Sequence, residues 1–242
     1  GVFEVGWHKH LCHQLIYAES GVIHIRTENK QLLLPAHHGV WIPAECAHSL
    51  YSSSSALKIC SVYFQPKQDD GYFLQAVRVF PLSTLAHEML VYSHRWLKVG
   101  GADPLKTSFF QTLRLLVNEW CEQSLSLELP LPQEPMMIKV TEFILDRLDQ
   151  SLNLDRISNQ FNVSKRTLMR YFQSDLGMTF GRYVQVARIA RAAELLTHPA
   201  ATVTDVALAA GYRSPSSFTQ AFQLLVGQTP SGYLRGRKGL RE

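Results

Sequence analysis

No apolar run in this 242-residue chain reaches the roughly 18 residues of a bilayer span, so a membrane-crossing helix is not expected. No signal peptide is visible, and Gly1 in place of Met is read as a trimmed start that leaves a lost leader open. Cysteine is sparse and scattered: Cys12, Cys46, Cys60 and Cys121 show no C-x-x-C spacing. That argues against a disulfide framework and for reduced thiols in a cytosol, so a cytoplasmic location with no membrane partner is expected. Charge is also low, at 18%, against 46% apolar residues, which is the balance of a folded, soluble chain of one or two domains.

What charge there is lies unevenly. Residues 1–135 hold 10 Lys and Arg against 12 Asp and Glu, net −2; residues 136–242 hold 14 against 8, net +6. A basic half beside a weakly acidic one suggests a polyanion partner for one part only.

The basic half carries a repeat. Ser164, Phe172, Gln173, Gly177, Thr179 and Tyr183 recur fifty positions later as Ser214, Phe222, Gln223, Gly227, Thr229 and Tyr233. In each copy a Ser caps a helix, aromatics lie within it, a Gly ends it and a Thr opens the next helix. Asn153 caps a preceding helix over residues 154–161, and Asn162 suits a left-handed turn. In the second copy Gly211 takes that turn, Ser214 caps and Pro215 fits the first helical position. Leu168 and Phe172 point inward, leaving Lys165, Arg166, Met169 and Arg170 outward. In the second copy Phe218 and Phe222 point inward, leaving Ser216, Thr219, Gln220 and Gln223 outward, with Arg213 the nearest cation. A helix that starts with outward Lys and Arg suits a DNA major groove, because Arg pairs with both guanine acceptors and the positive helix end favours phosphate. A long helix over residues 179–196, carrying Arg182, Arg188 and Arg191, joins the copies. A purely structural all-helical domain is the competing reading, and the two matched copies weigh against it.

Residues 136–235 resemble the tandem helix-turn-helix domain of the AraC/XylS transcriptional regulators. The stretch from Thr204 to Phe222 is similar to that family's signature, as is its ending from Gly227 to Arg235. The resemblance implies two recognition helices entering successive major grooves of double-stranded operator DNA, about 34 Å apart. It points to Arg166, Met169 and Arg170 in the first helix and Pro215, Ser216 and Gln220 in the second as base readers. Ser164, Lys165, Arg213 and Ser214 complete the DNA-binding set. The family often has basic residues where this chain has Gln220 and Gln223, so the first helix is expected to dominate.

The acidic half reads differently. Residues 1–65 contain short apolar or alternating runs (14–17, 22–26, 31–34, 40–42 and 57–64) separated by Gly, Pro, Asn and a Ser52–Ser55 tract, the texture of a β-barrel or jelly-roll. Helices follow over about 71–123. Leu85, Met89, Tyr92 and Trp96 mark the first helix. After Gly100–Gly101, Asp103 caps and Pro104 opens a second, marked by Phe109, Leu113, Leu116 and Trp120. These stripes suit packing onto the barrel, a homodimer interface, or both. Residues 124–135, with three prolines, read as a linker. The expected class is therefore α+β in two domains: a strand-rich sensor with helices (1–123), then an all-α tandem helix-turn-helix domain (136–242).

Within the strands, His8 and His10 would share one face, and Gln14 and His48 could join them from neighbouring strands. Three imidazoles and an amide oxygen are a donor set for Zn, Ni, Fe or Mn, or equally the lining of a metal-free effector pocket. The spacing resembles the two cupin motifs, with Gln14 where many cupins have Glu and Glu45 where Gly is usual, and so implies a cupin-like barrel. His13, His24, His37 and His38 read as surface or structural, while Cys46 stands near enough in sequence to approach His48. Together these features suggest a non-enzymatic activator or repressor that senses a small molecule or metal ion, with a homodimer and RNA polymerase as candidate partners. The rival is a metal-dependent cupin oxygenase or isomerase with an appended helical domain. A change in domain arrangement across the linker is the expected signal.

Overall fold

A computed structural model describes residues 3–54, 57–68, 70–97, 103–125 and 127–239, with side chains described through Arg235. Ser55 and the Gly100–Gly101 break lie outside the described residues. The chain forms two compact units: Gly1–Ile23 with Leu34–Leu125, and His24–Leu33 with Ser126–Glu242.

The strands of the described residues form two antiparallel sheets. They are β1 (Phe3–His8), β2 (His13–Ser20), β3 (Ile23–Thr27), β4 (Lys30–Leu34), β5 (His38–Ile42), β6 (His48–Ser52), β7 (Lys58–Phe64), β8 (Arg78–Pro81) and β9 (Glu128–Pro130). In the first unit β7, β2, β5 and β8 form a four-stranded sheet in that order. Gln14 lies opposite Ile42 on one side and Tyr63 on the other. Strand β2 is buried along its first six residues, on both faces. Its alternate residues Leu15 and Tyr17 share a core with Trp41, Phe80, Leu113 and Val117. Strand alternation therefore turns Gln14 and Ile16 to the opposite face. Strand β1 pairs with β6, and His8 stands directly across from His48.

Two helices follow in this unit, α1 (Thr84–Ser93) and α2 (Pro104–Glu122). Asp103 caps α2, accepting from the Leu105 N–H at 2.9 Å, and also accepts from the Trp96 indole N–H at 2.8 Å. The expected stripe over α1 and the turn after it holds in part, since Met89 packs against the core and Trp96 is buried. Ala86, Leu90 and Ser93 are buried, while Leu85 and Tyr92 are 61% and 45% exposed. Small residues permit close approach of the helix to its support, whereas a pattern drawn from large apolar residues lies one position away. In α2 the buried line is Leu113, Val117 and Cys121, with Phe109, Leu116 and Trp120 only partly covered.

Strands β1 and β6 carry His8 and His48 as expected, though no apolar run marks them, whereas β8 and β9 were not expected. Strand β6 does alternate, but it turns His48 and Ser52 inward beside Leu50, so its polar interior hides the pattern. Strand β8 falls where helices were expected to begin. Strand β9 lies within the proline-containing stretch 124–135. In the second unit it pairs with β4, Gln31 opposite Leu129, reinforced by a Lys30–Glu128 ion pair.

The rest of the second unit is helical: α3 (Pro135–Leu145), α4 (Leu154–Phe161), α5 (Lys165–Leu176), α6 (Phe180–Leu195), α7 (Val203–Ala209), α8 (Pro215–Val226) and α9 (Pro230–Gly239). Asn153, Ser164, Thr179, Thr202 and Ser214 each cap the helix that follows through a side-chain oxygen. Asn162 takes the left-handed conformation at φ 52°, and Gly177 and Gly227 close α5 and α8 at φ 64° and 76°. The repeat is also visible in packing. The Phe172 and Tyr183 rings lie 5.8 Å apart edge-on, and Phe222 and Tyr233 lie 5.6 Å apart edge-on.

One junction joins the two copies. The α6 residue Arg188 donates to the carbonyls of Leu148 and Gln150 at 3.0 and 2.8 Å and lies over the Tyr212 ring at 5.8 Å. Burial pulls the Arg188 guanidinium below its ordinary pKa, opposed by Tyr212 and Asp149. Gly211 sits against the same place at φ 83°, and a Cβ there would stand 2.0 Å from the Leu148 carbonyl oxygen. Gly177 shares the left-handed backbone but has open space around it. Replacing Gly177 with Ala is expected to cost about 1–3 kcal/mol, the strain of a left-handed non-glycine residue. Gly211→Ala, with the same strain plus the collision, is expected to cost more; chemical denaturation of both variants gives the comparison, and equal losses would contradict the junction.

Candidate nucleic-acid interface and histidine pocket

Helix α5 is held in place from both ends and from below. Ser164 Oγ accepts from the Thr167 N–H at 3.1 Å, and Leu168 and Phe172 are fully buried. That placement leaves Lys165, Arg166, Met169 and Arg170 exposed on the opposite face. Lys165 forms an ion pair with Asp155 of α4, and the Arg170 guanidinium lies 5.6 Å from the Tyr171 ring centre. Arg166 forms no ion pair among the described residues. The expected outward set of the first helix is therefore brought together on one accessible face.

Helix α8 has the same frame and different chemistry. Phe218 and Phe222 are fully buried, and Pro215, Ser216, Gln220 and Gln223 are exposed, as is Arg213 before the cap. Ser214 Oγ caps the Ser217 N–H at a longer 3.5 Å and shares a 2.7 Å hydrogen bond with Ser216 Oγ. The Ser216 hydroxyl is thus already engaged by the cap, and no cation stands on the outward turns of α8. Thr219 is only partly exposed.

The second constellation lies in the first unit. His8, His10 and His48 each offer a ring nitrogen, and these atoms all lie within 4.8 Å of one another. The three ring centres are 4.3, 5.2 and 6.0 Å apart. Strand pairing supplies His8 and His48. His10, however, lies beyond the end of β1, in the segment leading to β2, so the shared strand face expected for His8 and His10 is not what aligns them. The Glu45 N–H, donated to the His10 carbonyl at 2.9 Å, holds that segment instead. Gln14 reaches the cluster from the other sheet, with its Oε1 3.0 Å from His10 Nε2.

Each imidazole is oriented by a backbone carbonyl two residues away. His8 Nδ1 meets the Gly6 oxygen at 2.8 Å, His10 Nδ1 the Cys12 oxygen at 2.5 Å and His48 Nδ1 the Cys46 oxygen at 2.8 Å. A carbonyl only accepts, so each Nδ1 carries a proton, and the neutral form of each ring then has its lone pair on Nε2. His48 is fully buried and its Nε2 has no hydrogen-bond partner. Burial lowers the His48 pKa, the Cys46 carbonyl opposes this and the His8 and His10 rings add to it, which favours the neutral ring. The Gln14 Nε2 donates to Tyr63 Oη at 2.9 Å and Ser61 Oγ at 3.3 Å.

The Cys46 thiol takes no part in the cluster; its Sγ faces the Ala47 carbonyl, and only its backbone oxygen serves the site. Next door, buried His13 accepts the Ala44 N–H on Nδ1 and donates from Nε2 to Asp70, which also pairs with Arg114 of α2. Burial raises the Asp70 pKa, but the Lys67 N–H, Arg114 and His13 outweigh it and hold the carboxyl below its usual range. His24 pairs with Glu194 at 2.7 Å, a structural role like that of His13. Ser61, Tyr63 and the three orienting carbonyls were not foreseen. Cross-strand register brings in Ser61 and Tyr63, and register is not written in a single strand's residues, whereas each carbonyl lies only two residues from its own histidine.

Residues 2–131 match the family described as AraC-like ligand binding domain, and residues 157–236 match a helix-turn-helix domain family. The chain belongs to the AraC family. Its strand-rich portion is thus the cupin-like ligand-binding domain of that family and its helical portion the DNA-binding helix-turn-helix domain. The HTH-type transcriptional activator RhaS of Escherichia coli O9:H4 (strain HS) is 33% identical over 94 residues, 39% of this chain. The match spans about a third of that relative, 34% of its length. The C-terminal domain of AraT, a response regulator from Geobacillus stearothermophilus, is 28% identical with a TM-score of 0.41, covering 42% of this chain and 85% of that one. ToxT from Vibrio cholerae is 13% identical with a TM-score of 0.42, covering 98% of this chain and 97% of that one.

Within this AraC-family frame, α5 and α8 differ in charge while sharing caps and core. Arg166→Ala or Arg170→Ala is expected to cost about 1–3 kcal/mol of operator affinity, the value of a bidentate Arg–guanine contact. Ser216→Ala, which removes a hydroxyl the cap already holds, is expected to cost less. Gel-shift titration on one operator fragment tests the ranking, and a larger loss for Ser216→Ala would reverse it.

Proposed function

We propose that this chain regulates transcription by binding operator DNA through α5 and α8, with α5 as the stronger grip, in response to an effector sensed in the strand-rich unit. The observation that carries this reading is the duplicated capped helix with an outward Arg166–Arg170 face on one copy and a neutral face on the other. Lys165, Arg166 and Arg170 supply the phosphate and guanine contacts, and Met169 suits apolar contact with a thymine methyl. Ser164 and Ser214 place the helix N-termini, where backbone N–H groups favour phosphate, and Arg213 adds a cation beside the second. Pro215, Ser216 and Gln220 give the second helix a lighter, uncharged contact.

The effector site is the His8, His10, Gln14 and His48 pocket. A homodimer is favoured by apolar side chains left exposed on and beside α1 and α2: Leu85, Val91, Tyr92, Leu97, Leu105 and Leu115. RNA polymerase is the natural partner of an operator-bound activator. No helix of the described residues is long and apolar enough to cross a membrane.

Selection of genomic fragments by the purified full chain is expected to return one motif with two contacts on one DNA face, the better defined contact being the one read by α5. Affinity for that motif is expected to fall steeply with salt, as counterion release requires, and to exceed affinity for random duplex by about 10³-fold or more. Equal affinity for selected and random duplex would sink the regulator reading. A metal-dependent oxygenase would show turnover with no such preference.

A further inference from the structure

We propose that Arg188 is a positioning residue: it fixes how the two helix-turn-helix copies are turned relative to each other, and so which spacing between the two operator contacts the chain accepts. The inference rests on the operator-binding reading above and adds to it a specificity determinant that touches no base.

Each copy moves as one body, because its recognition helix shares a core with a turn that meets Arg188. In the first copy Leu148 is buried in one cluster with Ile157, Leu168 and Phe172, so the turn between α3 and α4 follows α5. In the second copy the Tyr212 and Phe218 ring centres lie 5.4 Å apart, and those of Phe218 and Phe222 5.6 Å apart, so the turn before α8 follows α8. Helix α6 runs between the two. Its Tyr183, Val184 and Ala187 belong to the first core, and Ile189, Ala192 and Ala193 are buried further along.

Apolar packing is non-directional. It holds both bodies against α6 but does little to stop one turning about the helix axis relative to the other. Arg188 supplies the missing direction. Its Nε donates to the Leu148 carbonyl at 3.0 Å and its Nη2 to the Gln150 carbonyl at 2.8 Å. Two bonds from one rigid plane lock the guanidinium to the first copy. The second copy closes on that plane. Arg188 Cζ lies 5.8 Å from the Tyr212 ring centre, and a Cβ at Gly211 would stand 2.9 Å from both Nε and Nη2. A lysine, a point charge on a flexible stem, cannot hold both carbonyls in one plane.

The competing role for an arginine in a basic unit is a phosphate contact. Two nitrogens of Arg188 are bonded inside the unit, and burial draws its guanidinium below the ordinary pKa. Arg166 and Arg170, by contrast, stand exposed on α5. Arg188 is therefore placed to order protein rather than to meet DNA.

Spacing is where such order is read. One added base pair moves the second major groove by about 3.4 Å along the duplex and turns it by about 35°. Copies locked against turning lose the α8 contact when the spacer changes, whereas copies free to turn about α6 follow the groove and keep part of it.

The test uses labelled duplexes carrying the motif selected by the wild-type full chain, with one base pair added to or removed from the segment between its two contacts. Wild type is expected to lose at least about tenfold in affinity at either altered spacing, the size of one lost specific contact. Arg188→Lys and Arg188→Gln are expected to bind the original spacing more weakly and to lose no more than about threefold on changing it. Arg191→Gln, the same charge change at an exposed position of α6, is expected to keep the wild-type penalty. On a duplex whose second contact is randomised, which needs α5 alone, wild type and both Arg188 variants are expected to bind alike. An unchanged tenfold penalty in the Arg188 variants, or no penalty in wild type, would overturn the proposal. Equal weakening of the variants on every duplex, the single-contact one included, would also overturn it, as the mark of a loosened fold. A salt slope lower by about 0.9 in Arg188→Gln would do so too, by placing Arg188 on a phosphate. Failure of wild type to prefer its motif over random duplex would remove the operator-binding reading, and this proposal with it.

Discussion

The relation between the two helix-turn-helix copies depends on a crowded point where the Leu148 carbonyl, the Arg188 guanidinium and the α-carbon of Gly211 meet. The Leu148 oxygen lies in the turn between α3 and α4, Arg188 belongs to the connecting α6, and Gly211 makes the turn of the second copy. An Arg that donates to two carbonyls while lying over Tyr212 is stiff, and the absence of a Cβ at Gly211 lets the turn press against it. The guanidinium is drawn partly out of water to do this, a cost offset by charge-assisted hydrogen bonds. The contact lies where α6, which joins the two copies, meets the turn of the second, and most of the non-arginine residues of α6 are buried.

Around that junction the copies keep one frame. Caps at Ser164 and Ser214, left-handed glycines at 177 and 227, and paired aromatics 172/183 and 222/233 place α5 and α8 alike. Their outward faces are free to diverge, because nothing in the core depends on them. That is why one helix carries Lys165, Arg166 and Arg170 while the other carries Pro215, Ser216 and Gln220. Even the hydroxyl of Ser216 is drawn back toward its cap. Scaffold and readout are separable because burial fixes the first and solvent leaves the second unconstrained.

The histidine pocket follows the opposite logic, since its alignment comes from backbone rather than from side-chain pattern. Three carbonyls, each two residues from its histidine, point the rings, and Gln14 enters from a different sheet. The four residues that the sequence spacing singled out do lie together, yet for His8 and His10 the reason is another one: the pair is brought together by the segment after β1 and its bond from Glu45, not by a common strand face. The face of α1 shows a related limit. A stripe drawn through Leu85, Met89, Tyr92 and Trp96 caught Met89 and Trp96 but missed Ala86, Leu90 and Ser93, two of which are small side chains that give no periodic signal of their own.

Local chemistry by itself determined the helix ends, the left-handed turns, the inward aromatics and the basic face of α5, since each depends on residues within a turn or two of one another. It also exposed the repeat, and with it the family. Tertiary structure alone decided which strands pair. Strand β9 escaped notice because prolines surround it, and β6 shows no apolar run because His48 and Ser52 face inward beside Leu50. Tertiary structure also decided that Tyr63 and Ser61 hold the Gln14 amide, and that the Leu148 carbonyl meets Gly211. Those contacts join residues tens of positions apart, and hydrogen-bond register across such distances is a property of the folded chain, not of any segment in it.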